Sequence, residues 1–289
     1  MESDQVNNSR IEHIVILGCG PAGIFAAHAA KTAGVKFSIY SRKRRSEMFG
    51  AQYLHEPIPG LSQTAPREIG YSLMGTAEQY AAKVYGDERP PFVSPDSLVG
   101  RHKGWDIREA YYRGWEAYQD DIIDVAKPID WMSFTDGRTF EHDAIRNAYQ
   151  AWPYVQIIST IPAHFLCSLK GKHTFRARKV WAVGDAPERG QMVDIQVPPE
   201  EVICNGEPSP SWYRAANVFG HKTIEWPHDQ KPPVSNVAEV EKVIDTDCDC
   251  LQPTVWKAGR LGAWNKRWLS HHAYYTTLDV MRLVGVNAA

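Results

Sequence analysis

The chain has 289 residues, 43% of them hydrophobic and 23% charged, with a formal net charge of −2. That length supports a sizeable buried core, in one large domain or two modest ones. The near-neutral balance argues against a protein dominated by bulk electrostatic attraction to nucleic acid, while leaving room for a local basic groove.

In chain order, the polar opening MESDQVNNSR is followed by EHIVILG (12–18), a short strand rich in Ile and Val. Pro21 to Thr32 reads as a helix with small residues on the face that must approach the strand; Gly34 ends it, and VKFSIY is the next strand. Together they form a β-α-β unit of about 30 residues. Residues 47–60 are a loop punctuated by Gly and Pro. SQTAPREIGYSLMGTAEQYAAKVYG reads as a strand and then a short helix. Asp106 to Val125 reads as one amphipathic helix, with Ile107, Ala110, Tyr111, Trp115 and Tyr118 near helical spacing. IDWMSFTDGRTFEHDA suggests a hairpin around Asp136-Gly137. YVQIISTIP (154–162) is a buried strand stopped by Pro162. HTFRARKVWAVGDA, VDIQVPPEEVICNG and KTIEWP read as antiparallel strands of a separate sheet. KPPVSNVAEVEKVI is a linker leading to a helix or strand, and the C-terminal segment reads as strand, turn and helix.

No secretory signal is evident, and no apolar run is long enough to span a membrane. The cysteines, Cys19, Cys167, Cys204, Cys248 and Cys250, are odd in number and scattered, unlike a disulfide framework. These features predict a reduced, cytoplasmic protein without a membrane partner. The 10 tryptophans and 13 tyrosines suit either a core or the walls of a flat ligand's site.

The sharpest motif is GCGPAG. Gly18 permits a tight turn, Gly20 lets the backbone approach a pyrophosphate, and Gly23 lets helix and strand pack closely. Pro21, Ala22 and Gly23 form the first helical turn, whose amides and dipole favour an anion. The motif follows a strand and opens a helix, the context that dinucleotide binding requires. The second strand then ends in Ser41 and Arg42, not in the acid that holds a ribose hydroxyl. Arg42 could instead hold the 2′-phosphate of NADP, or belong to a solvated basic loop, SRKRRS. KAGRLGAW (257–264) is a second strand-to-helix corner, in which Arg260 either pairs with a phosphate or is a structural Arg. Cys248 and Cys250 form a CxC with His271 and His272 downstream; the spacing matches no common zinc finger, so no metal is expected. No nucleophile elbow appears, which argues against a hydrolase.

VILGCGPAG, ISTIP (158–162), SWYRAANVFGHKTIEWP (211–227) and GRLGAWNKRWLSHHAY (259–274) occur in an order that resembles the glutathione-reductase-type flavoproteins, in their amine-oxidase and UDP-galactopyranose mutase branch. The resemblance implies FAD as cofactor, with NADP(H) as the competitor. It places Ser41 and Arg42 at the adenosine end, and Gln52 with the backbone of Tyr53 and Leu54 at the polar edge of the flavin. It brings Arg260, Gly262 and Trp264 to the pyrophosphate and flavin. His55 becomes a candidate acid or base, or a hydrogen-bonding strut. Tyr213, Arg214 and Glu225 become substrate-side candidates, or a salt-bridged sheet edge. His271 and His272 sit on the closing helix, one facing the flavin and one facing out, and His271 is a further substrate-side candidate. Ser41 departs from the family's usual Glu, the chain is short, and no second GxGxxG is present. VWAVGDA (180–186) imitates a flavoprotein Gly-Asp motif but reads as a sheet strand and turn.

The expected fold is α/β: a Rossmann-like FAD-binding domain with an inserted helical and antiparallel substrate domain. The expected bounds are 10–60, 143–165 and 240–289 for the first, and 61–142 and 166–239 for the second. The expected activity is an FAD-dependent oxidoreductase acting on a small C–N or C–O substrate by hydride transfer. The alternatives are a non-redox mutase-like flavoenzyme, an NADPH-dependent enzyme, a nucleotide-sensing binding protein, and a bacteriophage flavoenzyme acting on a nucleobase. The net charge gives the last no support.

Overall fold

A computed structural model describes residues 13–50, 52–86, 93–125, 155–167, 169, 171–183, 196–233, 237–250 and 255–283. The elements in chain order are β1 (His13–Leu17), α1 (Pro21–Thr32), β2 (Lys36–Ser41), β3 (Arg67–Met74), α2 (Ala77–Tyr85), β4 (Gly100–Gly104), α3 (Ile107–Tyr118), β5 (Ile122–Asp124), β6 (Val155–Ser159), β7 (Phe175–Val183), β8 (Glu201–Asn205), β9 (Arg214–Val218), β10 (His221–Pro227), β11 (Val237–Thr246), β12 (Val255–Lys257), α4 (Gly259–Ala263) and α5 (His272–Leu283). The hairpin expected at Asp136-Gly137 and the Gly-Asp of VWAVGDA lie outside the described residues.

The chain divides into two compact units. Unit 1 comprises Met1–Ser46, Tyr111–Thr174 and Thr246–Ala289, and unit 2 comprises Glu47–Ala110 and Phe175–Asp245. The loop expected within the cofactor domain (47–60) falls in unit 2. The segments 111–142 and 166–174, expected in the substrate domain, fall in unit 1, and 240–245, expected in the cofactor domain, falls in unit 2. β5 pairs with β2, which ties the end of α3 to unit 1.

Unit 1 is a five-stranded sheet of order β12-β6-β1-β2-β5. Its strands pair in parallel, with Leu17 facing Tyr40 on one side and Ser159 on the other. Ile14, Val15, Ile16 and Leu17 are all buried, as expected for a central strand covered on both faces. Val15, Leu17, Tyr40, Val125, Ile157, Leu166 and Val255 form one core cluster. α1 spans the residues its sequence predicts, and its alanines let α5 pack closely on it. The helix expected to run to Val125 stops at Tyr118, and Ile122–Asp124 is a strand. Asp120 and Asp121 would oppose the negative end of a longer helix dipole, whereas Ile122 gains burial in the sheet.

Unit 2 is a seven-stranded sheet of order β11-β7-β10-β9-β8-β3-β4. It is mixed rather than wholly antiparallel, because β3 runs parallel to β8. α2 packs against β7 and β10. A reciprocal capping box starts α2: Thr76 accepts from the Gln79 amide and Gln79 accepts from the Thr76 amide. No helix among the described residues is long and apolar enough to cross a membrane.

Candidate functional site

In unit 1 the three motif glycines have three different surroundings. Gly18 has φ +100°, and a Cβ there would lie 2.7 Å from Thr160 Oγ1. At Gly23 it would lie 1.9 Å from the Gly18 carbonyl oxygen, so helix and turn touch through bare backbone. At Gly20 the nearest atom would be Ser46 Oγ at 3.7 Å, which leaves space in front of the helix start. Gly20 caps α1 without a side-chain bond, Pro21 follows, and no acid occupies the first turn. The start of α1 therefore has open space at Gly20, and a helix N-terminus without acids favours an anionic group there.

Side chains around the loop hold it in place. Thr160 donates through Oγ1 to the Leu17 carbonyl at 2.8 Å. Tyr111 donates to the Cys19 carbonyl at 3.2 Å and accepts from the Ser46 amide at 2.8 Å, tying the glycine turn to the basic loop. The Cys19 thiol donates to the Arg42 carbonyl at 3.3 Å, and the Ser41 side chain also reaches it; burial pushes this thiol above its ordinary pKa. Within SRKRRS, the Lys43 amide bonds Asp124 and Arg45 lies over the Tyr112 ring, while Arg42 is exposed. Ser41 is thus turned toward the glycine turn.

The C-terminal corner joins the same place. A Cβ on Gly259 (φ +68°) would meet Ala22 Cβ at 2.7 Å, and one on Gly262 would meet the Ser159 carbonyl at 2.2 Å. Arg260 is exposed on α4. Trp264 caps α4 in a left-handed conformation, buried, with its ring 4.9 Å from that of His164. His271 is buried, and its ring lies 4.3 Å from that of His272, which accepts the Leu269 amide. Unit 1 thus brings Gly18, Gly20, Pro21, Ala22 and Gly23 together with Gly262.

Unit 2 carries a different constellation. Glu225, 2% exposed on β10, receives Tyr213 through its hydroxyl at 2.5 Å, Lys242 at 2.9 Å, and Arg214. Burial alone would raise this carboxyl; the Arg214 and Lys242 charges and the hydrogen bonds from Arg214 and Tyr213 outweigh it and hold it at about 2. Arg214 is raised well above its ordinary value, its burial penalty outweighed by Glu225. Its Nε is buried without a hydrogen-bond partner among the described residues. Gly50 (φ +76°) crosses this cluster: a Cβ there would fall 2.1 Å from Glu225 Oε1. Tyr71, Tyr80 and Tyr213 surround the charges, and burial raises all three phenols.

The expected site residues have the following surroundings. Glu225 and Arg214 belong to central strands, not a sheet edge, because β9 and β10 each pair on both sides. Both Glu225 oxygens are engaged, and Tyr213 is wholly buried. The Leu54 backbone donates to and accepts from Trp105, both at 2.9 Å. Gln52 donates to the Phe49 carbonyl, and Tyr53 stacks on the exposed His55 at 4.8 Å. Sequence reasoning missed Tyr111 and Lys242. Tyr111 looked like one more apolar helix position, and Lys242 lies on a strand read only as a helix or strand. Cys248 and Cys250 do not meet His271 and His272; they meet Cys167 and His173.

No protein-family model and no curated protein matches the sequence. Solved structures do. A reduced UDP-galactopyranose mutase aligns over 96% of this chain and 96% of its own, with 13% identity and a TM-score of 0.53. BrvH, a flavin-dependent halogenase from Brevundimonas sp. BAL3, aligns over 95% of this chain and 72% of its own, with 13% identity and a TM-score of 0.50. MibH, a lathipeptide tryptophan 5-halogenase, aligns over 98% and 67%, with 12% identity and a TM-score of 0.52. The likeness is one of fold: a parallel Rossmann-type sheet joined in one chain to a second sheet.

Proposed function

We propose that this chain is an FAD-dependent oxidoreductase that acts on a small C–N or C–O substrate. The observation that carries the reading is the contrast among the three glycines: two are crowded by backbone or side chain, and only Gly20 has space in front of the first-turn amides of α1. That is the division of labour a dinucleotide pyrophosphate requires. The shared fold with a flavin-dependent halogenase favours a flavin. Bound FAD would supply a two-electron acceptor for hydride from the carbon bearing the substrate's nitrogen or oxygen.

The chain's own residues would do the holding. Gly20 admits the pyrophosphate, and the α1 amides and dipole offset its charge. Tyr111 keeps the glycine turn and the Ser41–Ser46 loop in register. Arg42, exposed at the end of β2, covers the adenosine end. In unit 2 Glu225 keeps Arg214 charged and fixed, and the unpartnered Arg214 Nε suits an acceptor atom of an anionic or carbonyl substrate. A second reading, NADP(H) as the nucleotide, is favoured by the basic Arg42 where a ribose-binding acid would otherwise stand.

The test is the absorption spectrum of the purified protein, with the released cofactor identified, beside the variant Gly20→Leu. Gly20 has φ −66°, so a side chain strains nothing in the backbone. Yellow wild type that releases FAD, and a colourless variant that melts with cofactor-free wild type, are the expected results. A colourless wild type that takes up NADPH but no FAD would establish the second reading. FAD retained in full by Gly20→Leu would remove the glycine turn from the site.

A further inference from the structure

Four side chains with soft or borderline donor atoms converge in unit 1, none of them part of the glycine cradle. The ligand atoms of Cys167, His173, Cys248 and Cys250 all lie within 4.8 Å of one another. Cys167 Sγ and Cys250 Sγ are 3.8 Å apart. His173 Nδ1 stands 3.4 Å from Cys167 Sγ and 3.1 Å from Cys250 Sγ. A tetrahedral zinc ion with Zn–S of about 2.3 Å and Zn–N of about 2.0 Å has S···S edges near ~3.8 Å and S···N edges near ~3.5 Å. The three edges among Cys167, His173 and Cys250 match that figure to within a few tenths of an ångström, and Cys248 Sγ lies within 4.8 Å of each. They do not match a disulfide, whose sulfurs lie about 2.05 Å apart, and all the cysteines are free.

The ligands come from two separate segments. Cys167 and His173 lie between β6 and β7, and Cys248 and Cys250 lie between β11 and β12. Bonds that use no ligand atom hold the segments together. The Thr174 amide donates to Asp247 Oδ1 at 2.7 Å, and Thr246 Oγ1 donates to the Thr174 carbonyl at 2.7 Å. The Cys248 amide donates to Thr246 Oγ1 at 3.1 Å, and Lys257 Nζ donates to the Cys248 carbonyl at 2.8 Å. The backbone of Cys248 is therefore fixed at both its amide and its carbonyl. Lys257 also brings a positive charge toward a set that, with three thiolates on one divalent ion, carries a net negative charge. Cys167 and Cys248 are buried while His173 and Cys250 are partly open, so the set is enclosed yet reachable from solvent.

We propose that Cys167, His173, Cys248 and Cys250 bind one zinc ion in a Cys3His site. Four protein ligands fill the tetrahedron, which makes the site structural rather than catalytic. Three thiolates and an imidazole select zinc over magnesium or calcium, which take oxygen donors. The ion clips the segment that leaves unit 1 at Thr174 to the segment that re-enters it at Thr246. The proposal stands independently of the flavin reading.

The test uses the full chain, purified under reducing conditions. Elemental analysis is expected to find about one zinc per chain. Removing it with a chelator and titrating with cobalt(II) should produce ligand-field bands of tetrahedral thiolate-bound cobalt, in the red where flavin does not absorb. Cys167→Ser and Cys250→Ser should each lose the metal and those bands, while Cys204→Ser, in unit 2, keeps them. Wild-type protein that carries no zinc and gives no tetrahedral cobalt bands would overturn the proposal without reference to how the variants fold. So would full zinc retention by both ligand variants, or an iron–sulfur chromophore lost with these cysteines. A disulfide among these cysteines in freshly reduced protein would overturn it as well.

Discussion

Unit 1 and unit 2 are both built on a sheet with helices against it, yet they place their crowded points in different chemistry. In unit 1 the tightest approaches are backbone to backbone: Gly23 against the Gly18 carbonyl, and Gly262 against the Ser159 carbonyl. In unit 2 the crowding is polar and lies in side chains: Glu225 with Arg214, Lys242 and Tyr213, beneath Gly50. A backbone contact tolerates no added methyl group but carries no charge. A buried ion network tolerates no lost charge, because the desolvation already incurred is offset only by the full set of partners. The two units should therefore fail under different perturbations.

The largest effect is expected in unit 2. Glu225→Gln keeps the volume and leaves Arg214 and Lys242 facing a neutral amide, which should destabilise the protein by about 3–5 kcal/mol. Chemical denaturation measures this, and a loss under about 1 kcal/mol would mean that solvent already screens the cluster. The same residue sets an acid limit. Its carboxyl is held at about 2 against an ordinary 4.5, so its stabilisation is complete above the ordinary value and is lost as pH falls from there toward 2. The wild-type melting temperature should drop more steeply across that interval than that of Glu225→Gln, and parallel curves would refute the assignment.

Next in size is Gly23→Ala in unit 1. Its methyl group overlaps the Gly18 carbonyl and should cost about 1–3 kcal/mol as the helix shifts from the strand. The loss should be independent of pH between the two values above, which is what separates it from the unit 2 variant. The smallest effect on stability belongs to Gly20→Leu, within about 0.5 kcal/mol of cofactor-free wild type, since the added side chain enters open space. If Gly20→Leu melted as low as Gly23→Ala, the space in front of α1 would be filled by protein, and the contrast among the glycines would collapse.

The β-α-β opening, its helix limits, the turn at Gly18 and the close packing at Gly23 were legible in the sequence. They depend on local features, namely apolar runs, Pro21 at the helix start and glycine spacing. The seven-stranded order, the parallel step from β3 to β8 and the capture of Ile122–Asp124 by the first sheet were not legible, because strand partners are chosen by distant segments.

The same division runs through the sites. Tyr213, Arg214 and Glu225 drew attention as a group, but their burial and their link to Lys242 arise only when β9, β10 and β11 enter one sheet. Cys248 and Cys250 were visible as a pair, while Cys167 and His173 lie about 80 positions upstream and join them only through the fold. A sequence determines on its own what neighbours within a few residues can decide: backbone freedom, capping and periodicity. Charge networks and metal-binding geometry need side chains from separate strands at ångström precision, and only close packing of the folded chain provides that.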